Sequence, residues 1–281
     1  VISLPTEYPP FFYIVQLGSG GNGSYILQQV VQMMNIFNVA GCYTIADPDT
    51  VESKNLGNQL FIPKDVGFKK AEVLAKRYSG HYQIPIRSYT REFVQDETML
   101  RQLFSYRDYL ALGRRSFIPI LISAVDNNFT RQMMHRYFES EDNLIYLDVG
   151  IEGAKVPQDG RSRENWTAQE EENYRKSGWV GQVVCGVRWK GETLLPPVAE
   201  VFPDVLEDDD PIAPSATACS EIVVSEPQRL LTNKFAALEV VSFFNEIFSE
   251  NRISNHMSYI TLQSKVKVRT IQASADVTLP I

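Results

Sequence analysis

The sequence predicts an α/β fold: a Rossmann-like, doubly wound, mostly parallel sheet, with a C-terminal part that adds antiparallel strands and a long helix. Three observations predict it. A buried-type strand runs directly into a glycine turn and a helix. Strand and helix patterns then alternate as far as residue 150, and beyond it alternating, half-exposed strand patterns take over.

The elements follow in order. From Phe11, the run Phe-Phe-Tyr-Ile-Val-Gln-Leu is apolar, aromatic and β-branched, as in a strand covered on both faces. Gly18-Ser-Gly20-Gly21-Asn-Gly23 then opens a helical stretch reaching about Phe37. Tyr43 to Ala46 reads as a second strand ending at Asp47. A helix is expected over Asp65 to Tyr78 with Asp65 as its N-cap, then a strand over Ile84 to Tyr89 and a helix over Thr98 to Tyr106. Phe117 to Val125 is the strongest later strand. It leads through Asp126-Asn127 into an amphipathic helix ending near Phe138, and Leu144 to Val149 is a further strand.

After Gly150, Pro157 to Gly178 is polar without apolar period and reads as a surface excursion or mobile segment. Gly181 to Lys190 reads as a strand with a turn at Lys190-Gly191. An acidic, Pro-bearing loop from Leu206 should be extended, Gln228 to Phe248 is a long apolar-rich helix, and Ser258 to Ile271 alternates like an exposed antiparallel strand. The chain thus divides into a nucleotide-binding core (11–150), an excursion, strand and crossover-type loop (151–227), and a C-terminal helix and strand (228–281) completing the same domain.

Composition bounds the function. Of 281 residues, 44% are hydrophobic and 22% charged, ordinary for a chain with a sizeable core. Lys and Arg total 27 against 34 Asp and Glu, a net charge of -7 that argues against non-specific nucleic-acid binding. No apolar run is long enough for a membrane span, and the stretch Val1 to Pro10 lacks the basic-then-apolar pattern expected of a signal peptide. Cys42, Cys185 and Cys219 form no C-x-x-C pair, so a disulfide framework or a four-cysteine zinc site is not expected, and a reducing, cytoplasmic setting is.

The glycine turn carries the first chemistry. A helix N-terminus offers unpaired N–H groups and the positive end of its dipole, and so holds phosphate. Gly18 suits the tight turn, Gly20 and Gly21 a close approach of phosphate to the backbone, and Gly23 close helix–strand packing. Asp47, at the end of the second strand, suits an acid that accepts hydrogen bonds from ribose hydroxyls.

A longer ordered pattern follows: Asp47, Asp49 and Val51, then Asn55, Leu56 and Gln59, then Gly67 and Lys70, and finally Asp126-Asn127 behind a strand. In this pattern the chain resembles the ThiF/MoeB and ubiquitin-activating-enzyme superfamily over roughly residues 11 to 150, and more loosely beyond. The resemblance implies an enzyme that uses ATP and Mg²⁺ to adenylate the C-terminal carboxylate of a ubiquitin-like protein ending in an exposed Gly. It implies that Asp47 holds the ribose, that Asn55, Gln59 and Lys70 line the triphosphate, and that Asp126 holds Mg²⁺. A homodimer is expected, with the apolar Val30 to Phe37 helix as a candidate contact and a conjugating enzyme as a further candidate partner.

One position departs from the pattern. The family's Arg before Gln59 is Asn58 here, which cannot supply a bidentate cationic clamp. Lys54, Arg77, Arg114 and Arg115 are the candidate substitutes. Cys219 occupies the place of a loop cysteine that takes up the acyl group as a thioester in related proteins, with catalysis and a plain structural role both open. Cys42 and Cys185 read as packing residues. Two alternatives remain: a non-catalytic scaffold subunit, kept alive by Asn58, and an NAD-dependent oxidoreductase, which would leave Lys70 and Asp126 unused.

Overall fold

The structure is a computed structural model that describes residues 1–104, 113–207 and 228–280. After a short strand β1 (Ile2–Ser3), the chain enters β2 (Pro10–Leu17), turns at the glycines into α1 (Gly21–Ile36), and returns through β3 (Gly41–Ala46). Then come α2 (Lys70–Tyr82), β4 (Ile86–Tyr89), α3 (Glu97–Leu103), β5 (Ser116–Ser123), α4 (Asn128–Ser140) and β6 (Leu144–Ile151). Strands β4-β3-β2-β5-β6 lie side by side in that order, all parallel. The chain moves outward one way through β3 and β4 and the other way through β5 and β6, so strand order reverses between β2 and β5. Such a reversal opens a crevice at the carboxyl ends of the strands.

Period-two alternation divides the core between the two faces of the sheet. Phe12 and Ile14 of β2, with Ile118, Ile120 and Ile122 of β5, pack under α1 and α2. Tyr13, Val15 and Leu17 of β2, with Leu121 of β5, pack on Met133, Met134 and Phe138 of α4. Val30, Val31 and Met34 of α1 are fully buried in this core, which corrects the expectation of an apolar contact face there. Ile36 and Phe37, 67% and 39% exposed, remain outside, and Met33 is half-buried.

Beyond β6 come α5 (Ala168–Lys176), β7 (Val180–Trp189) and β8 (Glu192–Leu195). Two short helices, α6 (Val198–Val201) and α7 (Asp204–Glu207), follow, and then α8 (Leu230–Glu250), β9 (Arg252–Ile253), β10 (Asn255–Thr261), β11 (Lys267–Gln272) and β12 (Val277–Thr278). The sheet continues past β6 through β7, β10 and β11, each antiparallel to its neighbour, and reaches nine strands with β8. Lys190 and Gly191, at φ 48° and 79°, make the tight β7–β8 turn, as a two-residue hairpin requires. Helix α8 packs on α1 and crosses β6 and β7. A separate three-stranded sheet joins β1 to β12 in parallel and to β9 antiparallel, pairing Ile2 with Val277 and with Ile253.

Three expectations are corrected. The single strand over 258–271 is a hairpin, β10 and β11, interrupted by bends at the polar Gln263-Ser264-Lys265. The 157–178 excursion contains α5, started by a Thr167–Glu170 capping box. It is fastened by Arg163 and Arg229, whose guanidinium carbons each lie 4.7 Å from the Tyr174 ring centroid. Helix α2 begins at Lys70, not near Asp65, which instead accepts from the Ile62 N–H at 2.8 Å and pairs with Arg77 at 2.5 Å. The longer-range pairing of Thr50 with Lys69 delays the start of that helix.

Candidate functional site

At the crevice between β2 and β5 lies a cleft of about 960 Å³. One arm is lined by Gly18, Gly20, Gly21, Asp47, Asp49, Asn55, Asn58, Gln59, Lys70 and Asp126, and the other by Gly150, Glu152, Gly181, Gln182 and Tyr259. The residues expected to hold nucleotide or metal therefore line this one space, apart from Gly23; Val51, Leu56 and Gly67 of the ordered pattern do not line it. Gly23 lies in the first turn of α1. Cys219 lies outside the described residues.

The glycines divide the labour differently from the expectation. Gly18 sits at φ +92°, and a Cβ there would stand 2.4 Å from the Ala124 carbonyl oxygen, so the turn presses directly against the end of β5. Gly23 packs on the Gly18 carbonyl, as helix–strand closeness predicts. Gly20 has nothing within 4 Å of its Cβ position and leaves the α1 N-terminus open to the cleft, whereas the Gly21 position is covered by Asn233 and Gln228. No acidic residue occupies the first turn of α1, so its positive end is unopposed within the helix.

Beneath the turn lies a brace that sequence reasoning missed. The fully buried Gln16 donates from Nε2 to the carbonyls of Gly18 (2.6 Å) and Gly23 (2.9 Å), and its Oε1 accepts from the Tyr43 hydroxyl. Burial raises the Tyr43 pKa well above its ordinary value, which keeps that hydroxyl a donor. With two turn carbonyls held from below and the Gly18 N–H held by the Ala46 carbonyl at 3.0 Å, the turn is fixed at the start of α1. Asp47 holds the turn from the side. Its Oδ2 accepts from the Ser19 N–H (2.8 Å) and hydroxyl (2.6 Å), and its Oδ1 accepts from the Asp49 N–H (2.9 Å). The only local signal for the brace was a glutamine inside an otherwise apolar strand.

Lys70, buried at the first position of α2, is set by main-chain pairing: its N–H donates to the Asp49 carbonyl at 2.9 Å. Its ammonium rests on the Asp49 carboxylate, also at 2.9 Å. Asn55 accepts from the Glu52 N–H and so shapes the 3₁₀ turn that carries it. Asn58 Oδ1 and Gln59 Oε1, side-chain atoms of two cleft-lining residues, are buried without a hydrogen-bond partner, as in a site built to meet polar ligand groups. Among the four candidate substitutes for the missing Arg, only Lys54 lines the cleft, paired with Glu52 at 3.1 Å. Arg77 is committed to Asp65 and the Leu60 carbonyl. Arg114 lies on Tyr8, and Arg115 precedes β5 at the end remote from the cleft.

Asp126 is exposed at the cleft edge. The α4 N-cap is its neighbour Asn127, whose Oδ1 accepts from the Thr130 N–H at 2.9 Å, so Asp126 has no capping duty. The junction of the two arms is built by Arg131 of α4. It donates to Asp148 (3.0 Å) and to the carbonyls of Val125 (2.9 Å) and Val149 (3.3 Å), tying the ends of β5 and β6 together. Burial works against the Arg131 charge, but the Asp148 carboxylate outweighs it and raises the guanidinium pKa. Among the described residues, no cluster of three or more His, Cys, Asp or Glu converges as a metal cage. An exposed carboxylate beside an open helix N-terminus instead suits Mg²⁺, which takes few protein ligands and shares the rest with phosphate and water. The three histidines serve elsewhere; His256, for example, meets the Pro196 carbonyl at 2.9 Å.

The model of one family, described as the ThiF family, matches residues 12–270. The chain belongs to the ThiF family. Solved structures similar to this ThiF-family chain include E. coli MccB with ATP (17% identity, TM-score 0.53) and E. coli MccB with AMPCPP and MccA (15%, 0.54). A third is PaaA (13%, TM-score 0.53). Each covers 93% of this chain, while this chain covers 63%, 63% and 64% of theirs, under two thirds of the length of the structures it matches. The likeness bears out the mostly parallel α/β fold with its antiparallel C-terminal strands. No curated protein sequence matches the chain.

Proposed function

We propose that this protein binds ATP with Mg²⁺ in the cleft and uses it to adenylate the C-terminal carboxylate of a ubiquitin-like protein ending in an exposed Gly. One observation carries the reading: the open N-terminus of α1 at Gly20, the buried Lys70 ammonium and the exposed Asp126 carboxylate face one crevice at the strand-order reversal. The substrate carboxylate oxygen attacks the α-phosphorus of ATP, the bond from that phosphorus to the bridging oxygen breaks, and pyrophosphate leaves. A Mg²⁺ ion held by Asp126 would screen the phosphates and stabilise the departing charge.

The chain's own residues position and neutralise. The α1 N–H groups hold phosphate, and Asp47, already fixing Ser19, keeps a lone pair on Oδ1 for a ribose hydroxyl. Lys70 exchanges its Asp49 partner for phosphate oxygens and offsets charge in the transition state. Lys54 is the cleft cation that serves in place of the Arg replaced by Asn58, and Asp126 holds the metal. The other arm, past Arg131 to Gly150 and Gln182, receives the carboxylate-bearing tail. We further propose a homodimer, with transfer of the acyl group to Cys219 and docking of a conjugating enzyme as later steps.

The test is ATP–pyrophosphate exchange dependent on a ubiquitin-like protein with a C-terminal Gly. Exchange abolished by Lys70→Met is the expected result, and no exchange with any such protein would refute the reading. A second reading, a peptide substrate, is favoured by the likeness to MccB, solved with N-formylated MccA. Exchange driven by a short peptide and not by a folded ubiquitin-like protein would select it. If exchange appears only after Asn58→Arg, the chain is instead a scaffold subunit.

A further inference from the structure

Helix α8 starts beside the glycine turn, and two polar side chains from that region converge on it. Gln228, two residues ahead of α8, lines the cleft. A Cβ on Gly21 would meet Asn233 Nδ2 at 2.4 Å, Gln228 Oε1 at 2.6 Å and Asn233 Cγ at 2.8 Å, so any side chain there would displace the pair. Asn233 is fully buried, and neither its Oδ1 nor its Nδ2 has a hydrogen-bond partner.

That is costly chemistry for a helix face. A carboxamide taken out of water without partners gives up its hydration and gains nothing, and native interiors rarely keep one that is never used. The neighbouring Thr232, equally buried, shows the ordinary solution by donating to the Gly178 carbonyl at 2.7 Å. A leucine at 233 would pack as well without the cost. The orphaned amide therefore stands against the first residue of the phosphate-binding helix for a reason other than packing.

We propose that Gln228 contacts the nucleotide phosphates through its Nε2, and that Asn233 positions it by donating from Nδ2 to Gln228 Oε1. Both atoms of this second bond already lie against the same Gly21 position, so a side-chain rotation joins them. The bond fixes which end of the Gln228 amide faces the phosphate. Occupation of the site thereby gives Asn233 Nδ2 its acceptor and fastens the start of α8 over the turn. This rests on the reading of the cleft as a nucleotide site.

The experiment is calorimetric titration of the full chain with ATP and Mg²⁺, combined with thermal melts without nucleotide. Gln228→Ala and Asn233→Leu are each expected to weaken binding about tenfold, as for loss of one hydrogen bond to a charged group. The double variant is expected to bind no more than about tenfold weaker than wild type, because the two act as one unit. Asn233→Leu should melt at or above the wild-type temperature. Unchanged affinity in either single variant, or losses that multiply in the double, overturns the proposal. Where Asn233→Leu does not fold, the partly exposed Gln228→Ala carries the test by the same tenfold criterion. A wild-type chain that takes up no ATP overturns the nucleotide reading itself, whereas wild-type binding with unaltered variants overturns only this role of α8.

Discussion

Replacing Gln16 by Met keeps the length of the side chain and removes its polar contacts beneath the glycine turn. The half-buried Gly18 carbonyl loses its 2.6 Å donor and the fully buried Tyr43 hydroxyl loses its acceptor. The Gly23 carbonyl retains its helical partner. Two stranded polar groups at about 1–3 kcal/mol each give a loss of about 2–6 kcal/mol, or about 4–24 °C in melting temperature at about 2–4 °C per kcal/mol. Tyr43→Phe strands only Gln16 Oε1 and should cost about 1–3 kcal/mol. The double variant should be more stable than the sum of the two losses by about 1 kcal/mol or more, since both members of one contact are gone. Urea denaturation of the four proteins measures this cycle, and ATP titration in parallel should show weaker binding wherever the turn loses its brace. Losses that add to within about 0.5 kcal/mol would refute the coupling, and a stable Gln16→Met protein would refute the brace.

Asp126→Asn should leave the melting temperature within about 1 °C, because the residue is exposed and caps nothing, yet reduce pyrophosphate exchange about 100-fold or more. Its neighbour behaves oppositely: Asn127→Ala should cost about 1 kcal/mol in denaturation through loss of the α4 cap, and a neutral result would contradict the cap. Arg131→Met leaves Asp148 charged and buried at 1% exposure, so about 3–5 kcal/mol should be lost, partly recovered by adding Asp148→Leu; no recovery would refute the pairing. Burial, assisted by Glu246, pushes the Cys185 thiol pKa far up, so its reactive thiolate is depleted at every pH below that range. Iodoacetamide at pH 8 should label Cys185 only after denaturation, and labelling of the folded chain would show the core to be open.

Much of this arrangement was legible because the informative residues sit where elements begin or end. The apolar run before Gly18 marked a strand covered on both faces, and Gly20, Asp47, Lys70 and Asp126 all fall just past strand ends or at helix starts. What stayed hidden depends on partners remote in sequence. Pairing of Thr50 with Lys69 moved the α2 start away from Asp65, which local capping preference could not foresee. The β10–β11 hairpin escaped because the alternation on either side of Gln263 to Lys265 reads as one strand. Gln16 and Asn233 are each a polar residue inside an apolar element. That oddity is visible in the chain, but its meaning emerges only when Tyr43 and Gly21 are brought alongside. The Val30 to Phe37 stripe is the reverse case, since periodicity says only that such a face is covered, and here the chain's own core covers Val30, Val31 and Met34.

The small sheet in which Ile2 pairs with both Ile253 and Val277 sets an order of events. Segments 2–4 and 277–279, held together by bonds such as the Leu279 N–H to the Ser3 carbonyl at 2.8 Å, are separated by nearly the whole chain. During synthesis β1 must wait, unpaired, until residues 252–278 have been made, although β2 and α1 beside it can form early. Contacts of such sequence separation slow folding and prolong exposure of unpaired strand. Closure of this clasp is therefore expected to be the last step of folding, and a nascent chain stalled before residue 277 would carry a formed glycine turn on a fold that has not yet fastened.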